Sequence, residues 1–308
     1  MKKDSKLIAR ERLALKSLLD RQIPKRKIDE TLLIASWNIQ NFSNRKSKRA
    51  LQYIADICER FDLIALQEIK TDIRGLARLQ ALLPGDYRIL VSDPTGNSER
   101  MAFLYDRRTV VSTGLVCEIV LTGTIDNPET FQFNRSPYCA SFKAGRFDFI
   151  IASVHIVEGS GKKGGKALRE REIQEFVKFV KNRAGQDRGK VFAPDFIVVG
   201  DFNIEKAGDV FFKALVNKPE PCFKMPTGMN RLGTNYDQTK TFDKIAWLPS
   251  DEFRFTKKFG CIAFGEALYR ETGEEDMARK KVSDHLPIWA EFEVTELEHE
   301  LRQILNSN

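Results

Sequence analysis

Six apolar stretches of the sequence end or begin with a residue that can hold a cation or move a proton. Leu32 to Trp37 runs into Asn38, Leu63 to Gln67 into Glu68, Phe149 to Val154 into His155, and Phe196 to Gly200 into Asp201, with Asn203 two residues further on. Two later stretches are reversed, since Asp243 precedes Ile245-Ala246-Trp247-Leu248 and Asp284-His285 precedes the run from Leu286 to Phe292. Carboxylates gathered in a dry site lose hydration, so they need a cation among them. Glu68, Asp284, Asp201 and the amides of Asn38 and Asn203 are hard oxygen donors or water holders, which suit Mg2+, Mn2+ or Ca2+ better than zinc. His155 and His285 add groups that take up or release a proton near neutrality. A cation, carboxylates and imidazoles together can run metal-assisted hydrolysis. His155 alone would be an ordinary structural histidine, and Asp201 alone a turn residue; the repeated placement at strand ends argues for chemistry. His299, in a polar terminal stretch without such company, reads as solvated.

These side chains can meet only if the reversed stretches run antiparallel to the others, so the elements must form a mixed sheet or sandwich. Apolar alternation and turn residues predict strands at 32–38, 62–68, 87–92, 100–106, 109–120, 138–143, 146–155, 195–201, 241–248 and 285–294. Helical spacing predicts helices at 45–60, 72–83, 165–183, near 208–216 and at 295–306. Loops are expected at 122–137 and 217–240. Before them, Leu7, Ile8, Leu15, Leu18 and Leu19 lie on one side of a helix that ends ahead of Pro24. That leading segment, residues 1–30, holds ten basic and five acidic residues, and a helix docked on the surface explains it better than a DNA-binding arm. With no repeat and no Gly/Ser linker, the expected organisation is a basic helical extension at 1–30, one catalytic domain at 31–295 and a C-terminal helix at 296–308. The expected fold is α/β, a four-layered α/β/β/α sandwich of two mixed sheets flanked by helices.

Composition narrows the classes. Of 308 residues, 42% are hydrophobic and 30% charged, enough apolar material for a core and too much for bulk disorder. No run of about 18 apolar residues suggests a membrane span, and the charged start lacks the apolar core of a secretory signal. Five cysteines, Cys58, Cys117, Cys139, Cys222 and Cys261, are odd in number and widely spaced, which fits reduced thiols rather than a disulfide framework or zinc knuckle. The expected setting is cytoplasmic, with no membrane partner and a monomeric chain. A net charge of +7 leans toward polyanionic partners.

Six ordered motifs, Trp37-Asn38-Ile39, Leu66-Gln67-Glu68, Val154-His155, Gly200-Asp201-Phe202-Asn203, Phe242-Asp243-Lys244-Ile245 and Ser283-Asp284-His285-Leu286-Pro287, resemble those of the endonuclease/exonuclease/phosphatase superfamily. Within it the chain is most similar to the deoxyribonuclease I branch, through Ser92-Asp93-Pro94, Asn97-Ser98-Glu99-Arg100 and Arg135-Ser136-Pro137. The resemblance implies that Glu68 binds the metal, with Asn38, Asp284 and Asp201 beside it. It pairs His155 with Glu99 and His285 with Asp243, each carboxylate orienting its imidazole. Asp201 and Asn203 would position water or the scissile phosphate, Arg135 would hold phosphate oxygens, and Lys70 would face a nucleic-acid groove.

The implied function is a Mg2+-dependent phosphodiesterase, a DNA endonuclease of low sequence specificity. One His-carboxylate pair would act as base and the other as acid, while metal and Arg135 stabilise the transition state. Alternatives are a phosphatase or phosphodiesterase on a phosphoinositide-like ester, or a non-catalytic nucleic-acid-binding member of the fold. The segment from Asp93 to Glu99 has no tyrosine to stack in a minor groove, a departure from deoxyribonuclease I. Arg45-Lys46-Ser47-Lys48-Arg49 and Lys162-Lys163-Gly164-Gly165-Lys166 follow catalytic strands, where they could track a phosphate backbone.

Overall fold

The structure, a computed structural model, describes residues 2–121, 131–159, 161, 163–187, 195–216, 223–249, 254–270, 276–295, 301 and 304–305. Part of the loop expected at 122–137, Lys162, Cys222, His299 and most of the expected C-terminal helix lie outside them.

The chain opens with α1 (Lys2–Gln22), then alternates β1 (Thr31–Phe42), α2 (Lys48–Cys58), β2 (Leu63–Lys70) and α3 (Arg74–Gln80). A run of strands follows: β3 (Tyr87–Val91), β4 (Glu99–Asp106), β5 (Val111–Glu118), β6 (Tyr138–Ala144) and β7 (Phe147–His155). The remainder is α4 (Gly165–Asp187), β8 (Asp195–Asp201), α5 (Val210–Val216), β9 (Asp243–Trp247), β10 (Phe255–Cys261), α6 (Met277–Lys281) and β11 (Ile288–Glu293). One sheet is ordered β10-β11-β1-β2-β4-β3 and the other β5-β6-β7-β8-β9. Helices cover both outer faces, giving the expected α/β/β/α sandwich.

Each layer follows from side-chain pattern. β1 places Leu32 and Ile34 toward the other sheet and Leu33, Ala35 and Trp37 toward the helices, the two-residue alternation of a strand buried on both faces. Between the sheets, aromatic rings fill the core; Phe147 stacks on Phe149 at 4.7 Å and Phe103 on Tyr138 at 5.3 Å between centroids. α2 is capped by the Ser47 hydroxyl, which accepts the Ala50 N–H at 3.1 Å. The outer face of the second sheet takes Ile173, Phe176, Val177 and Val180 from α4.

α1 docks on α2. Leu15, Leu18, Leu19 and Ile23 join the core cluster under the helices, and charge pairs tie the segment to the domain. Arg12 meets Asp56 and Arg60 meets Asp20; Arg26 spans Asp62 and Asp106.

Two elements escaped the sequence reading. β10 is an edge strand with two exposed lysines and a register shift between Phe255 and Phe259, so its alternation is broken. α6 has five residues, too few to show a helical period.

Candidate active site

The reversed stretches do run antiparallel. β9 pairs antiparallel with β8 so that Asp243 faces Asp201, and β11 is antiparallel to β1. β7 lies parallel to β8 and sets His155 opposite Asp201. Asn38, Glu68, Glu99, His155, Asp201, Asp243 and His285 therefore come to one rim of the sandwich, where backbone irregularities aim them. Glu68 has φ +60°, and both its neighbouring ladders shift register there. A glutamate in the left-handed region costs of order 1 kcal/mol, a strain that recurs at functional sites. Gly200, with φ +130°, is required because a Cβ there would lie 2.1 Å from the Val154 carbonyl oxygen; its lack of a side chain lets the end of β8 close on β7.

The centre is Asp201, 2% exposed. His155 Nε2 and His285 Nε2 approach the same oxygen, Oδ2, at 3.6 and 3.7 Å, and Asn38 donates to it from Nδ2 at 3.1 Å. Its other oxygen accepts the Asn203 N–H at 2.8 Å, while the Asn203 amide donates to the Ile156 carbonyl at 2.8 Å. His285 Nδ1 bonds Asp243 Oδ2 at 2.9 Å. Glu99 is held differently. Lys70 donates to its Oε1 at 3.0 Å and Arg135 Nε to its Oε2 at 2.8 Å, whereas His155 Nδ1 lies 3.5 Å from Oε2 and has no hydrogen-bond partner. Arg135 and Lys70 thus occupy the carboxylate ahead of the imidazole.

On the other flank, Glu68 accepts Asn38 Nδ2 at 3.0 Å and the Asn41 N–H at 2.9 Å, and Asp284 Oδ2 accepts Gln40 Nε2 at 2.9 Å. Both carboxylates thereby face the end of β1. The buried oxygens Asn38 Oδ1 and Asp284 Oδ1 have no hydrogen-bond partner, as oxygens kept for a cation would. Asp201, Asp243 and His285 form a second group, with one ligand atom from each within 4.8 Å of the others.

The two imidazoles sit in opposite fields. Burial, then the charges of Arg135, His285 and Lys70, push His155 well below its ordinary value of 6.5, so it is neutral. Burial also opposes charge on His285, but the Asp243 and Asp201 carboxylates lift it to about 10. Burial raises Asp201 itself, against the pull of the His285 charge. At neutral pH the site therefore holds one proton donor and one acceptor on either side of a carboxylate.

Several participants were missed in the sequence. Ser283 Oγ donates to the Asn38 carbonyl at 2.7 Å and accepts the His285 and Gln40 N–H groups at 3.1 and 3.2 Å, fixing the motif beside it. Gln40, two residues after Asn38 on the same face, was findable from strand alternation. Lys46 was read as part of a basic run, yet it turns inward, donating to the Val282 carbonyl at 2.6 Å; burial holds it down to about 8 against the charges of Asp284 and Glu68. Arg49 of the same run pairs with Glu11, leaving Arg45 and Lys48 exposed. Among the described residues, no helix is long and apolar enough to cross a membrane.

The chain is 28% identical over 274 residues to a deoxyribonuclease of Thioalkalivibrio sp. (strain K90mix), covering 85% of this chain and 71% of that one. It is 28% identical over 188 residues to deoxyribonuclease gamma of Rattus norvegicus, 56% of each chain. Among solved structures, an endonuclease/exonuclease/phosphatase family protein from Bacteroides thetaiotaomicron superposes with a TM-score of 0.59 at 20% identity, covering 87% of this chain and 97% of that one. Truncated TDP2 from Caenorhabditis elegans gives a TM-score of 0.57 at 18% identity, covering 85% and 97%; at such identity these two speak for the fold. The Endonuclease/Exonuclease/phosphatase family profile matches residues 35–285, from the first strand of the rim to its last histidine, and the chain belongs to that family of hydrolases.

Proposed function

We propose that the protein is a divalent-metal-dependent phosphodiesterase that cuts DNA as an endonuclease of low sequence specificity. The observation that carries this is the convergence of His155 Nε2 and His285 Nε2 on one oxygen of Asp201, in surroundings that push His155 toward its neutral form and His285 toward its protonated form. In-line hydrolysis of a phosphodiester needs a base for water on one side of phosphorus and an acid for the leaving alkoxide on the other. His155 Nε2 takes the proton and His285 Nε2 delivers one, with Asp243 holding the imidazolium. Asp201 and Asn203 orient water and phosphate between them. Arg135, steadied by Glu99, faces the phosphoryl oxygens, and Lys70 adds positive charge beside it. Glu68, Asn38 and Asp284, next to Asp201, would hold Mg2+, or Mn2+ or Ca2+. The bound ion supplies charge neutralisation on the phosphoryl oxygens.

Two relatives that bear the name deoxyribonuclease support DNA as substrate. The groups at the rim suit phosphate and water rather than base edges, which favours low sequence specificity. Thiols at Cys58 and Cys261 fit a reducing, cytoplasmic setting. Incubation of purified protein with supercoiled plasmid, with Mg2+ or with chelator, tests the reading. Nicking that needs the metal is expected. Hydrolysis of a phosphoinositide or small phosphate ester with every form of DNA left intact would overturn the substrate; binding of DNA without turnover, unaltered by His155→Ala and His285→Ala, would overturn the enzyme.

A further inference from the structure

The first turns of α4 reach into the site from behind. Arg169 and Glu172, three residues apart on that helix, are each 1% exposed. Buried charges are costly unless partnered, and most of their partners are main-chain groups of the loops that carry site residues. Glu172 accepts the Asn134 N–H on Oε1 at 2.5 Å and the Val157 N–H on Oε2 at 2.7 Å. Arg169 donates from Nη1 to the Asn203 carbonyl at 2.9 Å and from Nη2 to the Glu158 carbonyl, with its guanidinium 4.5 Å over the Phe211 ring. Asn134 immediately precedes Arg135, Val157 and Glu158 follow His155, and Asn203 is itself a site residue. Close approach is built in: a Cβ on Gly165, which opens α4, would lie 1.9 Å from the Gly159 carbonyl oxygen, so the helix starts flush against the loop after His155.

We infer that Arg169 and Glu172 form a positioning brace, which sets Arg135, His155 and Asn203 at fixed separation; the inference rests on the hydrolase reading above. Packing alone would be served by apolar residues, as Ile173, Phe176, Val177 and Val180 serve it on the same helix. A carboxylate does something they cannot, since its two oxygens clamp two chain segments at once, and the guanidinium fork joins one of these to a third. Neither residue touches the reacting atoms. They act through the placement of those that do, where errors of about 1 Å can cost about a hundredfold in rate.

Glu172→Gln keeps size and shape but turns an N–H group toward one of the two main-chain N–H donors, which releases that loop. In the full-length protein, assayed on plasmid and on bis(p-nitrophenyl) phosphate well below the variant's melting temperature, kcat should fall at least about tenfold with KM within about twofold. Hydrogen exchange should quicken in residues 131–137 or 155–159 and stay unchanged in residues 63–70. Arg169→Lys, which can keep one carbonyl but not both, should also lower kcat. The double variant should lose little more than the worse single one, because both act through the loop after His155. A variant with lower melting temperature but wild-type kcat overturns the brace, and so does an unchanged exchange pattern. If the wild type hydrolyses neither substrate, the functional reading fails, and the exchange result alone decides the brace.

Discussion

Opposite ends of β2 and β4 both hold buried carboxylates, and the two ends are treated in contrary ways. Where β2 starts and β4 finishes, Asp62 and Asp106 are saturated. Arg26 bonds Asp62 at 2.8 Å and Asp106 at 2.8 Å, Leu33 N–H and the Thr109 hydroxyl fill Asp62, and Arg108 clamps Asp106. Where β2 finishes and β4 starts, the rim leaves Asn38 Oδ1, Asp243 Oδ1, Asp284 Oδ1 and His155 Nδ1 buried without partners. Unsatisfied buried polar atoms cost about 1–3 kcal/mol each, and the oxygens of Asp62 and Asp106 avoid that cost where those of Asp243 and Asp284 do not. On the hydrolase reading proposed above, one end is structural and the other keeps its valences for ligands.

Substitutions should separate the two ends. The largest effect falls on rate: His155→Ala or His285→Ala should lower kcat by at least about a hundredfold, the usual scale for losing a general acid or base. Near-wild-type turnover in either variant removes that residue from the chemistry. Next comes stability at the far end. Arg26→Met leaves Asp62 and Asp106 short of their shared cation, and urea titration should show a loss of about 3 kcal/mol while kcat per folded molecule stays constant. A stable variant would mean that Arg108 and the amides suffice. Smaller again is the effect of the ion on stability. Mg2+ at about a hundred times its dissociation constant should stabilise the wild type by about 2.7 kcal/mol, measured as a shift in melting temperature, and Glu68→Ala should abolish the shift. An equal shift in that variant would move the cation to the Asp201, Asp243 and His285 group.

What the sequence revealed divides along the same line. Rim residues were legible because each interrupts an apolar strand at its end, a place where a buried polar group needs a reason, and because six of them recur in a family order. The far end was not. Asp62 looked like the start of one strand, Asp106 like the end of another, and Arg26 like one of ten cations in a basic segment; only the folded chain shows that Arg12 and Arg26 answer acids of the domain. Glu172 and Arg169 were hidden for a related reason. In Arg169-Glu170-Arg171-Glu172 opposite charges alternate, and nothing in the spacing says that two of the four turn inward. β10 and α6 escaped through brevity and exposure.

pH offers the finest test of the contrast, because the ends should fail in opposite directions. At the far end burial pushes the Asp106 carboxyl up, but Arg108 and Arg26 pull it down to about 2 from 3.8. A depressed carboxyl stabilises the folded state above its ordinary value, and that contribution is lost as pH falls from about 3.8 toward 2. At the rim His285 is raised from 6.5 to about 10. A raised imidazole means that the folded state binds the proton more tightly, so its contribution is complete below pH 6.5 and drains away as pH rises toward 10. In metal-free protein kept in chelator, stability measured by urea titration should therefore decline on both sides of a broad maximum. Asp243→Asn removes the carboxylate hydrogen-bonded to Nδ1 and should flatten the alkaline decline while leaving the acid one intact; Arg26→Met should relieve only the acid one. An alkaline slope that survives Asp243→Asn would mean that Asp201 alone holds the proton, and the division of labour between the two carboxylates would have to be redrawn.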